Sequence, residues 1–101
     1  SAVNRKSEYL QTIVKKGASI GANATIVCGN NIGEYAFIGA GAVVVKEIAD
    51  YALVVGNPSK QIGWVSEYGH RLVFNEEGIA VCSESKQTYQ LDKEHFVKRI
   101  S

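Results

Sequence analysis

Starting at Val14, a large aliphatic side chain returns at every sixth position: Val14, Ile20, Ile26, Ile32, Ile38 and Val44. Four places after each stand Ala18, Ala24, Asn30, Ala36, Ala42 and Ile48, most of them alanine. A helix needs apolar residues every three to four positions, and a half-buried strand needs strict alternation inside a run bounded by turn residues. A period of six fits neither. It predicts a short strand followed by a bend, repeated so that the same side chain keeps returning to the inside of a coil. Three such edges close a triangular coil of about 18 residues, and coils stack at roughly 4.8 Å, the spacing of paired strands. Alanines are expected near the corners, where a narrow prism overpacks if the side chain is large. Gly21, Gly33 and Gly39 are expected at the bends, where freedom from a Cβ atom is wanted. Asn30 is expected as a polar ladder position or a distorted corner, and Ile48 as the place where the repeat ends.

After Trp64 the period disappears. Leu72-Val73-Phe74 and Ile79-Ala80-Val81-Cys82, separated by Glu76-Glu77-Gly78, read as a β-hairpin, with Thr88–Leu91 as a third strand. Residues 93–100 are expected as a short helix or a further strand. The organisation is thus a polar segment over 1–11, coils and cap over 12–63, and a hairpin tail over 64–101.

Composition narrows the function classes. A chain of 101 residues with 46% hydrophobic and 21% charged residues makes one small core, so a partner subunit would add much of its stability. Eleven basic and ten acidic residues leave a charge of +1, too little to argue for nucleic acid or a membrane surface as partner. Cys28 and Cys82 form no CxxC pair and no disulfide framework, which fits a reducing compartment. No apolar run approaches a bilayer span, and no signal-peptide pattern opens the chain, so a cytoplasmic location is expected. Methionine is absent even at the start, so the residues are expected to be a processed product or a piece of something longer.

From Thr12 to Trp64 the sequence resembles the last coils of the hexapeptide-repeat acyltransferases. The residues that carry the resemblance are Ala18-Ser19-Ile20-Gly21-Ala22-Asn23-Ala24-Thr25-Ile26-Val27-Cys28-Gly29, Ile38-Gly39-Ala40-Gly41-Ala42-Val43-Val44 and the cap Tyr51-Ala52-Leu53-Val54-Val55-Gly56-Asn57-Pro58-Ser59-Lys60-Gln61-Ile62. Together with Val3–Glu8 and Ile62-Gly63-Trp64-Val65, it looks most like bacterial N-acetyltransferases of amino sugars carried on UDP or dTDP. The nearest branch is the type that acetylates a UDP-linked 2-acetamido-3-amino-glucuronic acid for surface polysaccharide. The resemblance implies an all-β fold, a left-handed parallel β-helix of two to three coils with a ribbon-like tail. It also implies a homotrimer, acetyl-coenzyme A as acyl donor and a nucleotide-sugar acceptor.

A donor with a long pantetheine arm needs a straight wall of backbone groups, small side chains and cations at its nucleotide end. Ala22 and Ala40 are one 18-residue coil apart and are expected to stack on one corner, flanked by Gly39 and Gly41. The resemblance adds Val45 and Lys46 near the lower donor, and Asn57, Pro58 and Lys60 at the adenine and phosphates. It makes Arg5 and Lys6 candidate sugar-nucleotide contacts. No catalytic residue is assigned: His70 and His95 lie beyond the cap, and the base is expected upstream of Ser1.

Two sites are not expected. The tail's Ser66-Glu67-Tyr68-Gly69-His70 and Cys82-Ser83-Glu84-Ser85 match zinc knuckles of relatives but keep one thiol, so no metal is expected, and Trp64 is read as the tail's apolar anchor. A carbonic anhydrase on the same solenoid would need histidines that the segment from Val14 to Ile62 lacks. A scaffold module with a vestigial donor groove is the alternative reading.

Overall fold

The structure, a computed structural model, describes residues 11–101. Arg5 and Lys6 lie outside the described residues. The period of six folds as short parallel strands. β1 (Ser19–Ile20), β3 (Phe37–Ile38) and β5 (Ala52–Val55) stack on a first face, and β2 (Thr25–Ile26) and β4 (Val43–Val44) on a second. Parallel bridges Val14–Ile32 and Ile32–Ile48 make a third. Inside sit Ile32, Ile38, Val44, Ile48 and Val54 with Ala36, Ala42 and Ala52, all buried.

All the described corners of the coils but the one after Val44 are four-residue turns closed by an N–H to C=O bond, such as Ala24 to Gly21 at 3.3 Å and Ala42 to Gly39 at 3.2 Å. The third residue of these turns takes a positive φ: Gly17, Asn23, Gly29, Tyr35, Gly41 and Tyr51. That is the type II pattern, which Gly and Asn adopt at low cost. The fourth residue points inward and is small in every turn but that of Asn30, whose side chain instead donates to Val27 O at 2.9 Å. Asn30 therefore closes a local corner rather than building a ladder.

Two expectations need correction. Gly21, Gly33 and Gly39 have no positive φ; a Cβ on them would meet the next coil at 2.5 Å (Ala40 N), 2.5 Å (Asp50 N) and 2.9 Å (Val55 Cγ1). They are glycine because the coils approach closely, not because the chain bends there. Ile48 does not end the repeat. Ile32 pairs with Ile48 and Ile38 with Val54, so the second coil has a 16-residue register where the first, from Ile20 to Ile38, has 18. The corner after Val44 is two residues shorter, and Ile48, Ala52 and Val54 resume the pattern in the shifted frame.

β6 (Lys60–Val65) turns back antiparallel beneath β5 and carries the chain across the expected boundary at 63/64. The 72–82 hairpin is not formed as expected. β7 (Arg71–Leu72) pairs with β6, whereas β8 (Ile79–Val81) joins β9 (Thr88–Leu91) and β10 (Val97–Arg99) in a separate antiparallel sheet. Asn75 divides them, its Oδ1 accepting from Glu77 N at 2.9 Å and Ile79 N at 3.0 Å, so the chain turns before β7 can extend. Residues 97–99 are strand, not helix.

The tail packs on the prism through aromatics. Tyr51 stacks on Tyr35 at 5.6 Å and meets Tyr89 edge-on at 5.3 Å, and Trp64 packs against both cores. Burial, then the hydrogen bond to Glu67, pushes the Tyr51 hydroxyl far up, so it remains a donor to Glu67 Oε2 at 2.8 Å. Arg99 holds the other carboxylate oxygen at 3.1 Å.

The two knuckle-like turns face each other through Ser66 and Cys82, 3.2 Å apart. Tyr68 N and His70 N already donate to the Ser66 hydroxyl, leaving its hydrogen for the sulfur. Burial pushes the Cys82 thiol up, but hydrogen bonds from Ser66, Ser85 and Glu84 outweigh it and lower it from 9.0 to about 7. A lowered acid stabilises the fold above its unfolded value and loses that contribution as pH falls through the folded one. Stability is therefore expected to increase from pH 7 to pH 9, and Cys82→Ser to flatten the increase. Urea midpoints across that range check it; identical profiles for the two proteins would contradict it.

Candidate functional site

The 18-residue register of the first coil places Ala22 above Ala40, and Gly41 N donates to Ala22 O at 2.9 Å. Both alanines are exposed second residues of their turns, on the corner between the first and second faces. The pairing of Ile38 with Val54 carries the column down to Gly56, whose carbonyl accepts from Val43 N at 2.9 Å. Ala22 and Ala40 thus form an exposed edge parallel to the stacking axis, with no side chain larger than a methyl, and exposed Gly56 lies on the coil below.

Backbone polarity along that edge is only partly used. The N–H groups of Ala22 and Ala40 and the Ala40 carbonyl make no backbone hydrogen bond to another described residue. Such groups retain their full capacity for a ligand lying along the corner. Gly41 sits in open space at φ +73°, and Gly39, beside Ala40, keeps the adjoining face low because Val55 occupies the room a Cβ would need.

Beneath the edge the chain turns through Asn57 and Pro58, joined by a cis peptide bond, and both are exposed. Ser59 follows, its N–H donating to Val43 O at 2.9 Å, and exposed Lys60 opens β6. Ser59 Oγ is buried without a hydrogen-bond partner among the described residues. Leaving a buried hydroxyl unpaired costs about 1–3 kcal/mol, which favours a further polar group docking at this cap.

The structure therefore brings Ala22, Gly39, Ala40, Gly41, Asn57, Pro58 and Lys60 to one corner and the cap below it. Val45 and Lys46 are elsewhere: they form the shortened corner beyond β4, at the far margin of the second face, and both are exposed. His70 and His95 are in the tail; His70 Nε2 lies 3.5 Å from Glu84 Oε2. Gly56 and Ser59 escaped the sequence reading, because a constant 18-residue coil would set Pro58 under Ala40. The signal was present in Ala52 and Val54, which fit a frame displaced by two.

Small residues, exposed backbone donors and an acceptor, a polar cap and a lysine fit a long amide-bearing arm that ends in phosphates. The chain is similar to known acetyltransferases. The sequence is 54% identical over 77 residues to the dTDP-3-amino-3,6-dideoxy-alpha-D-galactopyranose 3-N-acetyltransferase of Aneurinibacillus thermoaerophilus, covering 76% of this chain and 40% of that protein. It is 36% identical over 86 residues to a chloramphenicol acetyltransferase of Agrobacterium fabrum, covering 82% of this chain and 37% of the relative. The serine acetyltransferase structure of Neisseria gonorrhoeae superposes with a TM-score of 0.56 at 35% identity, over 61% of this chain and 24% of that one. The chain thus spans about two fifths of the sequence relatives, at 40% and 37%. No protein-family model matches the sequence.

Proposed function

Because this chain carries the left-handed parallel β-helix of the hexapeptide-repeat acetyltransferases, we propose that it is the donor-binding part of an acetyl-coenzyme A-dependent N-acetyltransferase acting on a nucleotide-linked 3-amino sugar. The observation that carries the reading is the exposed Ala22–Ala40 edge, whose backbone N–H groups and Ala40 carbonyl make no backbone hydrogen bond to another described residue. The sugar and nucleotide follow the 54%-identical relative, named for a dTDP-linked 3-amino sugar, which falls within the UDP- or dTDP-linked amino sugars expected from sequence though not on the UDP-linked acid branch.

Acetyl-coenzyme A supplies the activated acetyl group. The part of this chain is to orient the arm: the amides of Ala22 and Ala40 and the carbonyl of Ala40 meet its amide groups, and Lys60 attracts its phosphates. Gly39 and Gly41 let the arm approach, and Asn57-Pro58 shape the adenine end. Val45 and Lys46, across the second face, reach the donor's lower part if the arm leans over β4. One prism supplies one wall, so a homotrimer, with a neighbouring copy closing the groove, completes the site. Surface-polysaccharide synthesis in the cytoplasm is the setting proposed. The general base lies outside the described residues.

Titration calorimetry with acetyl-coenzyme A tests the reading against a scaffold module with a vestigial groove. Binding is expected, and Lys60→Glu, which turns a phosphate contact into a repulsion, is expected to weaken it about tenfold or more. Absence of binding heat, or an unchanged affinity in the variant, would favour the scaffold.

A further inference from the structure

We propose that the cleft between the third face and the 92–96 turn binds the pyranose ring of a carbohydrate. This cleft lies away from the Ala22–Ala40 corner, has a volume of about 430 Å³ and is lined by Lys15, Asn31, Glu47, Ala49, Asp50 and Phe96 among others.

Its polar groups are held in place by the backbone. Glu47 Oε1 accepts from Asn31 N at 3.2 Å and Asp50 Oδ1 from Glu34 N at 2.7 Å, so each carboxylate is fixed through one oxygen. The second oxygen of each makes no hydrogen bond to a described residue. Asn31 Oδ1 accepts from Ile13 N at 3.0 Å, which orients its amide and leaves its two N–H donors unused among the described residues. Two acceptors and an amide donor on rigid coils, with Lys15 beside them, are the groups that hydroxyls recognise.

Phe96 supplies the other half. The residue is 60% exposed although the adjacent Val97 is buried, and its backbone is pinned because Asp92 Oδ1 accepts from Glu94 N at 2.9 Å and Phe96 N at 3.0 Å. A side chain this exposed forgoes part of the roughly 1.5–3 kcal/mol that full burial contributes. The electron-rich face of an aromatic ring attracts the C–H side of a pyranose while that sugar's hydroxyls reach the polar floor. A nucleotide is disfavoured by two carboxylates against one lysine, and a divalent cation by the lysine and the shortage of ligands. The cavity holds one ring with its bridging waters.

The test is a two-dimensional amide NMR titration of the chain with methyl glucoside, methyl galactoside and methyl mannoside, repeated on Phe96→Ala and Glu47→Gln. At least one glycoside is expected to produce saturable shifts at Asn31, Asp50 and Phe96 with a roughly millimolar dissociation constant. Each variant is expected to weaken it about fivefold or more while keeping the dispersed spectrum of the fold. Glu47→Gln retains the oxygen that caps Asn31 and so serves even if the Phe96 variant is unstable. No saturable shift with any of the three, shifts undiminished in the folded variants, or shifts only at the Ala22–Ala40 corner would overturn the proposal. Acetyl-coenzyme A binding at the Ala22–Ala40 corner is read separately, by the calorimetry.

Discussion

Gly33→Ala is expected to lower the melting temperature by about 12–24 °C. The added Cβ would lie 2.5 Å from Asp50 N and 2.6 Å from Ala49 C, both backbone atoms of the next coil. Neither atom can rotate away, so the coils must separate or shear, and interior overpacking of this kind costs about 3 kcal/mol. For a domain of this size each kcal/mol moves the midpoint by roughly 4–8 °C. Gly41→Ala is the informative control, since a Cβ there meets nothing within 4 Å and only the φ of +73° is penalised. Its cost is about 1 kcal/mol. Circular dichroism melts of the two proteins separate coil spacing from local conformation, and an equal loss in both would show that close stacking is not what selects glycine at position 33.

The second large effect concerns binding. Ala40→Trp is expected to leave the melting temperature nearly unchanged, because the side chain points to solvent from a turn and surface changes of this sort stay within about 0.5 kcal/mol. Affinity for acetyl-coenzyme A is expected to fall at least about tenfold, since the indole would stand on the wall proposed for the arm. Ala22→Trp, one coil above, is expected to act in the same direction. Calorimetry beside a thermal melt reads both quantities. Retained affinity in the two variants would place the donor elsewhere.

The coils were legible because a solenoid writes its geometry locally: each inward aliphatic stacks on a residue a fixed number of positions away, and Ile20, Ile26, Ile38 and Val44 fall on that count. The stacked corner of Ala22 and Ala40 follows from the same arithmetic. What a constant period conceals is a change of period. The shortened corner after Val44 left Ile48 looking like a terminus and hid Gly56 and Ser59, although Ala52 and Val54 already marked the new frame.

The role of Gly33 was illegible for a different reason. Glycine is selected equally by a bend and by a close neighbour, and only the distance to the next coil separates the two. Tyr35 and Tyr51 run against turn preferences. They occupy positive-φ positions because their rings stack and anchor the tail, a tertiary gain that local propensity does not record. In the tail, Leu72 and Ile79 were joined by pattern as one hairpin, but pairing is decided by which sheet offers an open edge, and β6 claims Leu72. The cleft beside Phe96 is assembled from positions 15 to 96, a spread that no motif spans.

The most direct measurement is a crystal structure of the chain grown with coenzyme A. The pantetheine arm is expected to run parallel to the stacking axis past Ala22, Ala40 and Gly56, its amides bonded to the backbone at Ala40 and its phosphates near Lys60. An arm lying on the third face or against the tail, with the Ala22–Ala40 edge bare, would contradict the account.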